Sequence, residues 1–301
     1  MEREPKLQTE AHHRETSNLD LMSVSEIIKL MNQDDLKIPL AIKKVLPKIE
    51  KTIKVVYHSL ETGGRLFYVG AGTSGRIGLL DAVECPPTFS TSPEVVQAIL
   101  AGGIDAVVLA VEGAEDDEQW GQSSLKEHGL TERDVVIGIA ASGSTPFVKG
   151  ALVYARSVGA KTMSLTSNPN SIISECADIA IEVDTGPEIL TGSTRLKAAS
   201  AHKMVLNMIS TATMVQLGKV YKNLMVDVHA SNNKLKERAK RIVCEATEVT
   251  YEQAEQVLAN TGYEVKPAIV MLLTQSTLDE SKQLLANSKG HVRAAIQLKN
   301  I

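Results

Sequence analysis

Residues 68–87 read YVGAGTSGRIGLLDAVECPP, and they contain the glycine pattern G-x-G-x-x-G at positions 70–75. The apolar run RLFYVG at 65–70 leads into this pattern and predicts a buried strand, and residues 74–83 follow it with a helical pattern. A glycine-rich turn between a buried strand and a helix presents backbone N–H groups to a phosphate. The stretch therefore predicts an α/β fold with a phosphate-binding loop, and the pattern alone leaves open whether the ligand is a dinucleotide.

Alternating strand and helix patterns continue from this loop towards the C-terminus. Four more strands are predicted: VVQAIL (95–100), DVVIGIA (133–139), KTMSLTS (161–167) and ADIAIEVD (177–184). The helices between and after them are predicted near 115–127, 145–158 and 192–217. Strands that alternate with helices favour right-handed βαβ crossovers, so we predict a doubly wound α/β fold with a five-stranded parallel sheet.

Helical segments flank this α/β region on both sides. Residues 1–23 are polar and predict an arm, and residues 24–61 predict helices with separate starts at Pro39 and Pro47. From about residue 232 only short helical patterns occur, which predicts a small all-helical appendage. We expect an N-terminal arm and helices over 1–50, the α/β domain over 51–225 and a helical subdomain over 232–301.

The composition excludes several classes of function. The 301 residues carry a formal net charge of −4 and three cysteines, and 43% of them are hydrophobic. The mild acidity gives no reason to expect nucleic acid or an anionic membrane as a partner. The cysteines are few and widely spaced, so we expect a reducing compartment and no structural metal site. The polar start and the lack of a membrane-length apolar run favour a cytoplasmic protein.

The residues around the glycine loop favour a simple phosphate over a dinucleotide. A dinucleotide site needs an acidic residue at the end of the second strand to bind the ribose, and this strand runs into Ala101, Gly102 and Gly103. Thr73 and Ser74 follow Gly72 at the predicted helix start, where their hydroxyls would bond a phosphate.

A second loop of the same kind follows the third predicted strand. Its residues Ser142, Gly143, Ser144 and Thr145 precede Pro146, which suits the first turn of a helix. Because parallel strands end at the same edge of a sheet, the two loops would together hold one phosphate. The alternative is that the three hydroxyls of this loop only cap the helix that follows.

Four segments carry a resemblance to a known family, and they occur in this order: GAGTSGRIGLLDAVECPP, AVEGAEDD, GIAASGSTP and GPEILTGSTRLKAA. They resemble the N-acetylmuramic acid 6-phosphate etherases, which belong to the sugar isomerase (SIS) domain superfamily. The resemblance extends from about residue 17 to 300, and NLMVDVHASNNKL (223–235) adds to it. One departure is Ser144, where this family usually has Arg.

The resemblance implies an activity and a set of site residues. The enzyme would remove the D-lactyl ether from N-acetylmuramic acid 6-phosphate, with water as co-substrate and without a cofactor or metal. Glu84 would protonate the departing lactyl oxygen, and Glu115 would take the C2 proton. Glu188 and Ser193 would bind substrate together with the two glycine loops. By position alone, Glu84 would be a solvated helix-end residue before Pro86 and Pro87, and Glu115 a member of an acidic run.

The spacing of Ser74 and Glu84 bears on assembly. Ten residues of straight helix span about 15 Å, which is too far for both side chains to act on one small sugar. Three explanations stay open: a helix break near Gly78, a phosphate held mainly by Ser142–Thr145, or a Glu84 that serves the partner subunit. SIS proteins build their sites at dimer interfaces, so we expect a homodimer with the site at the interface.

Two rival functions belong to other classes. The glucokinase regulatory protein resembles this family and binds sugar phosphates without turning them over, so a regulatory sensor is one alternative. An aldose–ketose isomerase, which uses the same fold and similar acid–base chemistry, is the other.

Overall fold

The computed structural model describes residues 7–109, 111–228 and 232–299. The predictions made for residues 1–6 of the arm, 229–231 of the segment 223–235 and the final residues 300–301 lie outside the described residues. The chain divides into two compact units. The first contains the residues up to Ala82 and Glu94–Ser210, and the second contains Val83–Pro93 and the residues from Thr211 onwards.

A five-stranded parallel sheet forms the centre of the first unit. Its strands are β1 (Leu66–Gly70), β2 (Val96–Leu100), β3 (Val135–Ile139), β4 (Lys161–Thr166) and β5 (Ile179–Glu182), in the order β2-β1-β3-β4-β5. The chain leaves β1 towards the edge strand β2, crosses back to β3 and then adds β4 and β5 on the other side. The order of the strands therefore reverses between β1 and β3, and the predicted doubly wound parallel sheet is confirmed.

Within the described ranges, seven α-helices belong wholly or partly to this unit. They are α1 (Val24–Asp35), α2 (Lys37–Glu61), α3 (Gly72–Phe89), α4 (Glu118–Glu127), α5 (Pro146–Val158), the one-turn α6 (Ile172–Glu175) and α7 (Lys197–Gln216). Helices α3 and α7 each continue from the first unit into the second.

The two faces of β1 pack against different helices. Phe67 is fully buried in a cluster that includes Leu125 of α4 and Phe147 of α5. Tyr68 points to the opposite face, where a side chain at Gly78 of α3 would come within 2.9 Å of the Tyr68 Cβ atom. Helices therefore cover both faces of the sheet, which explains why β1 is apolar throughout rather than alternating.

The glycine pattern has a packing role at the end of β1. A Cβ atom on Gly70 would lie 2.7 Å from the backbone nitrogen of Gly75, and one on Gly75 would lie 2.6 Å from the Gly70 carbonyl oxygen. Both contacts are shorter than real Cβ atoms allow, so the first turn of α3 can approach the strand only where both residues are glycine.

Prolines interrupt the helices less than the sequence predicts. Pro47 lies inside α2 and does not begin a separate helix. Pro86 and Pro87 lie inside α3, which extends to Phe89, so the prediction that this helix ends at Glu84 is wrong. In α2, burial of the helix face that includes Ile42 stabilises the helix by more than the hydrogen bond that a proline removes.

The described part of the N-terminal arm is folded onto the first unit. Short 3₁₀ turns at Gln8–Glu10, Arg14–Thr16 and Leu19–Leu21 make up its structure. Thr9 and His13 are buried, which shows that the arm is packed rather than solvated.

In the part of the second unit that the structure describes, five helices make up most of the chain. They are α8 (Asn233–Thr247), α9 (Tyr251–Asn260), α10 (Val265–Thr274), α11 (Leu278–Asn287) and α12 (Val292–Lys299), preceded by a short antiparallel pair, β6 (Val220–Tyr221) and β7 (Leu224–Met225). The predicted helical appendage is thus present, whereas the strand pair that precedes it was not predicted. None of the helices in the described ranges is both long and apolar enough to cross a bilayer.

Candidate functional site

Two glycine loops lie next to each other at the carboxyl edge of the sheet. The last residue of β1, Gly70, pairs in register with Ile139, the last residue of β3. The loops that follow them, residues 71–75 and 140–145, therefore start at the same level on neighbouring strands. Ligands of doubly wound proteins bind at this point, where the strand order reverses.

The first loop borders a cavity of about 260 Å³. Gly72 has φ +52° and starts α3, and Thr73 and Ser74 follow it half-buried. Neither hydroxyl has a hydrogen-bond partner within the described ranges. Gly72, Arg76 and Glu115 all line this cavity, so the fold brings Glu115 next to the first glycine loop.

Glu115 is held on a short turn between β2 and α4. It is exposed on the 3₁₀ turn Ala114–Asp116. Arg76 of α3 donates hydrogen bonds from Nε to the Val107 carbonyl (3.0 Å) and from Nη2 to the Leu109 carbonyl (3.3 Å). The helix that starts at the glycine loop therefore also fixes the chain segment that leads to Glu115.

The second loop begins helix α5 without a side-chain cap. Thr145 occupies the N-cap position and makes no capping hydrogen bond. The Ser142 hydroxyl oxygen accepts hydrogen bonds from the backbone N–H and the hydroxyl of Ser144, both at 3.2 Å. Gly143 has φ +75°, and a cavity of about 380 Å³ is lined by Ser142, Gly143 and Ser144. The loop therefore leaves the first N–H groups of α5 available, and an anion is the ligand they favour.

The third segment, residues 186–200, carries Glu188 and Ser193. Glu188 is buried, and its carboxylate accepts hydrogen bonds from the backbone N–H groups of Lys197 (3.0 Å) and Ala198 (2.9 Å). Burial raises the pKa of Glu188 above its ordinary value, although the two N–H groups act in the opposite direction. Glu188 thus caps α7, while Ser193 is half-buried in a turn that its backbone N–H closes onto Leu190. Substrate binding by these two residues stays a prediction.

A buried charge cluster supports the same segment. Asp34, at the end of α1, is paired with Lys197 (2.5 Å), Lys37 (2.6 Å) and His13 (3.2 Å). Burial would raise the pKa of Asp34, but the hydrogen bonds from Lys197 and Lys37 outweigh it and hold that pKa below its ordinary value. The cluster joins the arm, α1 and the start of α7. No local pattern in the sequence predicts this cluster, since Asp34 resembles any acidic residue at a helix end.

Glu84 lies on the exposed side of α3, in the part of that helix that belongs to the second unit. Helix α3 is continuous from Gly72 to Phe89, so the suggested break near Gly78 is wrong. Two explanations of the Ser74–Glu84 spacing remain, namely a phosphate held by the second loop and an action of Glu84 in the partner subunit.

Family models match three parts of the chain. Residues 40–156 match the glucokinase regulatory protein N-terminal SIS domain, residues 109–217 match the SIS domain, and residues 222–268 match the C-terminal lid domain of glucokinase regulatory protein. Among solved structures, phosphoheptose isomerases from Neisseria gonorrhoeae and Francisella tularensis resemble the fold. The Neisseria protein has a TM-score of 0.51 at 15% identity, and the match covers 64% of this chain and 98% of that protein. The Francisella protein has a TM-score of 0.50 at 17% identity, and the match covers 64% of this chain and 100% of that protein.

Curated relatives match nearly the whole chain. An N-acetylmuramic acid 6-phosphate etherase from Geobacillus thermodenitrificans is 58% identical over 267 residues, which cover 89% of this chain and 90% of the relative. The protein of the same name from Bacillus thuringiensis subsp. konkukian is 57% identical, with 89% and 91% covered. At this identity and coverage, the chain belongs to the N-acetylmuramic acid 6-phosphate etherase family.

Proposed function

We propose that this protein cleaves the D-lactyl ether of N-acetylmuramic acid 6-phosphate and releases D-lactate and N-acetylglucosamine 6-phosphate. The observation that carries the proposal is the near full-length identity of 58% to a relative named for this activity. The geometry of the two glycine loops supports it, because they place hydroxyl groups and helix N-termini at the position where doubly wound proteins bind ligands.

The phosphate is assigned to the second loop. The hydroxyls of Ser142, Ser144 and Thr145 lie at the start of α5, a helix of 13 residues whose N-cap makes no side-chain bond. Helix N-termini favour anions because their first N–H groups are unpaired and the helix dipole is positive there. A phosphate held at this loop is remote from the reacting carbons, so its binding energy orients the sugar for reaction.

The reaction itself is an elimination followed by addition of water. In the open-chain sugar the C2 proton is acidic, because C1 is an aldehyde, and the ether oxygen at C3 is a β leaving group. Glu115 removes the C2 proton, Glu84 gives a proton to the ether oxygen, and lactate departs. Water then adds at C3 of the unsaturated aldehyde, and a proton returns to C2. Two carboxylates in different surroundings suffice for these proton transfers.

The first loop contributes the rest of the substrate site. Thr73 and Ser74 follow Gly72, which lines the same cavity as Glu115, and they are assigned to the hydroxyl groups of the sugar and to part of its phosphate. Glu188 supports the site through the start of α7, which its carboxylate caps. Ser193 is assigned to the substrate from the family pattern.

The functional protein is assigned as a cytoplasmic homodimer whose sites lie at the interface. The first unit carries large apolar side chains that a monomer would leave in water, among them Leu36 between α1 and α2, Leu40 of α2, and Ile104 and Val108 after β2. Exposed apolar groups of this size favour a partner surface. The continuous helix α3 supports an action of Glu84 in the neighbouring subunit.

A regulatory sugar-phosphate sensor is the second candidate, because two parts of the chain match domains of the glucokinase regulatory protein. Incubation with N-acetylmuramic acid 6-phosphate and an assay for D-lactate separate the two functions. We expect stoichiometric lactate and amino-sugar phosphate. Tight binding of sugar phosphates without lactate would support the sensor instead, and a ketose product would support an isomerase.

A further inference from the structure

Asn168 connects three separate parts of the first unit through one side chain. It lies two residues after the end of β4 and is buried, with 2% of its surface exposed. Its Oδ1 atom accepts hydrogen bonds from the backbone N–H groups of Gln8 (2.6 Å) and Thr9 (3.4 Å). Its Nδ2 atom donates to the Thr9 hydroxyl (3.1 Å) and to the carbonyls of Ala141 (3.0 Å) and Ser142 (3.1 Å). The amide therefore ties the N-terminal arm to the second glycine loop.

This pattern of bonds suits asparagine in particular. The side of the amide that faces the arm must accept from N–H groups, and the side that faces the glycine loop must donate to carbonyl oxygens. An aspartate of the same shape would place an oxygen against the Ala141 and Ser142 carbonyls, where no proton is available. An alanine would leave several buried polar groups of the backbone without partners.

The arm that Asn168 holds forms one wall of the cavity at the second loop. Leu7 and Gln8 line the same space of about 380 Å³ as Ser142, Gly143 and Ser144. Thr9 is buried next to Asn168, and His13 is fixed to Asp34 a few residues later. The arm is thus fastened at two points, and the position of Leu7 and Gln8 relative to the loop depends on the Asn168 amide.

We propose that Leu7 and Gln8 of the arm are a wall of the phosphate subsite and that Asn168 is the positioning residue that holds this wall against the Ser142–Thr145 loop. The inference rests on the proposed function, since it assigns the phosphate of the substrate to this loop. Asn168 does not have to touch the phosphate. It fixes the distance between the loop and the arm, so the subsite is formed before the ligand binds. Less of the binding free energy is then lost to ordering the protein.

Two substitutions remove this connection from opposite sides. Asn168→Ala removes the amide. Gln8→Pro removes the N–H group that donates at 2.6 Å together with the Gln8 side chain, so Gln8→Ala, which keeps the N–H group, is compared with it. A proline suits this position because Gln8 is the first residue of a 3₁₀ turn and Leu7 before it is extended (ψ 134°). Asn287→Ala is the matched control, because Asn287 is exposed on α11 and accepts its hydrogen bond from Gln283.

We expect both variants to weaken phosphate recognition and to leave the chemical step nearly intact. The KM for the muramic acid phosphate and the inhibition constant of inorganic phosphate should rise together by about 10-fold, with kcat changed less than about threefold. The double variant should be little worse than either single one, because both remove the same connection. Asn287→Ala should match the wild-type protein in all three quantities.

Calorimetric binding of inorganic phosphate and of N-acetylglucosamine 6-phosphate keeps this test separate from the proposed function. The measured phosphate affinities test the role of Leu7, Gln8 and Asn168 even when the wild-type protein releases no lactate. Melting temperatures identify any variant that is not folded, and Gln8→Pro alone then decides. Unchanged phosphate affinity in a folded variant would overturn the inference. A fall in kcat at constant KM would also overturn it. The same holds if the wild-type protein binds neither inorganic phosphate nor N-acetylglucosamine 6-phosphate.

Discussion

Glu84 and Glu115 are the residues to which the proposed reaction assigns proton transfer. Positioned acid or base groups contribute about 10²–10⁴-fold to a rate. We therefore expect Glu84→Gln and Glu115→Gln each to lower kcat by about that factor, measured as D-lactate release. Affinity for N-acetylglucosamine 6-phosphate should stay close to that of the wild-type protein, because the phosphate is assigned to the second loop. Asp116→Asn, in the same exposed turn as Glu115, is the control and should keep its activity.

Isotopes separate the role of Glu115 from a simple displacement. Elimination in heavy water should place deuterium at C2 of the amino-sugar product. Reaction in ¹⁸O-water should place the label at C3 of the sugar and leave lactate unlabelled. Labelled lactate with unlabelled C2 would mean attack at the lactyl carbon, and the role assigned to Glu115 would then be wrong.

At the scale of elements, the start of α7 depends on the buried pair of Asp34 and Lys197. Asp34→Asn would leave the Lys197 charge buried and unpaired, which costs about 3–5 kcal/mol of unfolding free energy. Lys37 contacts the same carboxylate, but 57% of its side chain is exposed, so Lys37→Ala should cost well under about 1 kcal/mol. Urea unfolding followed by the fluorescence of Trp120, the single tryptophan, measures both in the first unit.

The direction of the Asp34 pKa also predicts a pH dependence. Its folded pKa lies below the ordinary value of 3.8, so the fold binds this proton less tightly than the unfolded chain does. The stability that the ionised carboxylate contributes is present above pH 3.8 and is lost as the pH falls through the lowered value. The difference in unfolding free energy between the wild-type protein and Asp34→Asn should therefore be constant from pH 7 to about pH 5 and shrink as the pH falls further, through 3.8 and below. A difference that stays constant down to pH 3 would contradict this account.

The two loop glycines differ in what surrounds them. Gly143 and Gly72 both have positive φ angles, which cost an L-residue about 1–2 kcal/mol. A Cβ atom on Gly143 would also overlap the Cβ of Ser171, whereas one on Gly72 would meet open space. We expect Gly143→Ala to lower the unfolding free energy by about 2–5 kcal/mol and to weaken phosphate binding, and Gly72→Ala to cost about 1–2 kcal/mol. Equal costs for the two would show that the Ser171 contact relaxes freely.

The elements that were predictable from the sequence are those with a local signal. Buried apolar runs predicted all five strands of the sheet, and the two glycine loops predicted where β1 and β3 end. The extent of α3 was not predictable, because Pro86 and Pro87 locally signal a helix end. Asn168 and Asp34 were missed for another reason. The partners that bury and fix them, such as Lys197 for Asp34 and Gln8 for Asn168, are more than one hundred and fifty residues away. No motif marks such contacts in one sequence.

At the scale of the whole molecule, the proposed action of Glu84 in a neighbouring subunit can be tested with mixed dimers. If Glu84 acts in the partner's site, a chain with Glu84→Gln and a chain with Ser142→Ala and Ser144→Ala have complementary defects. A heterodimer of the two would contain one site with both defects and one site with none. Mixing differently tagged chains and isolating the heterodimer should therefore recover close to half of the wild-type kcat per dimer, although each parent homodimer is impaired. Light scattering establishes the dimer first, and heterodimers that are no more active than the average of the parents would assign each site to a single chain.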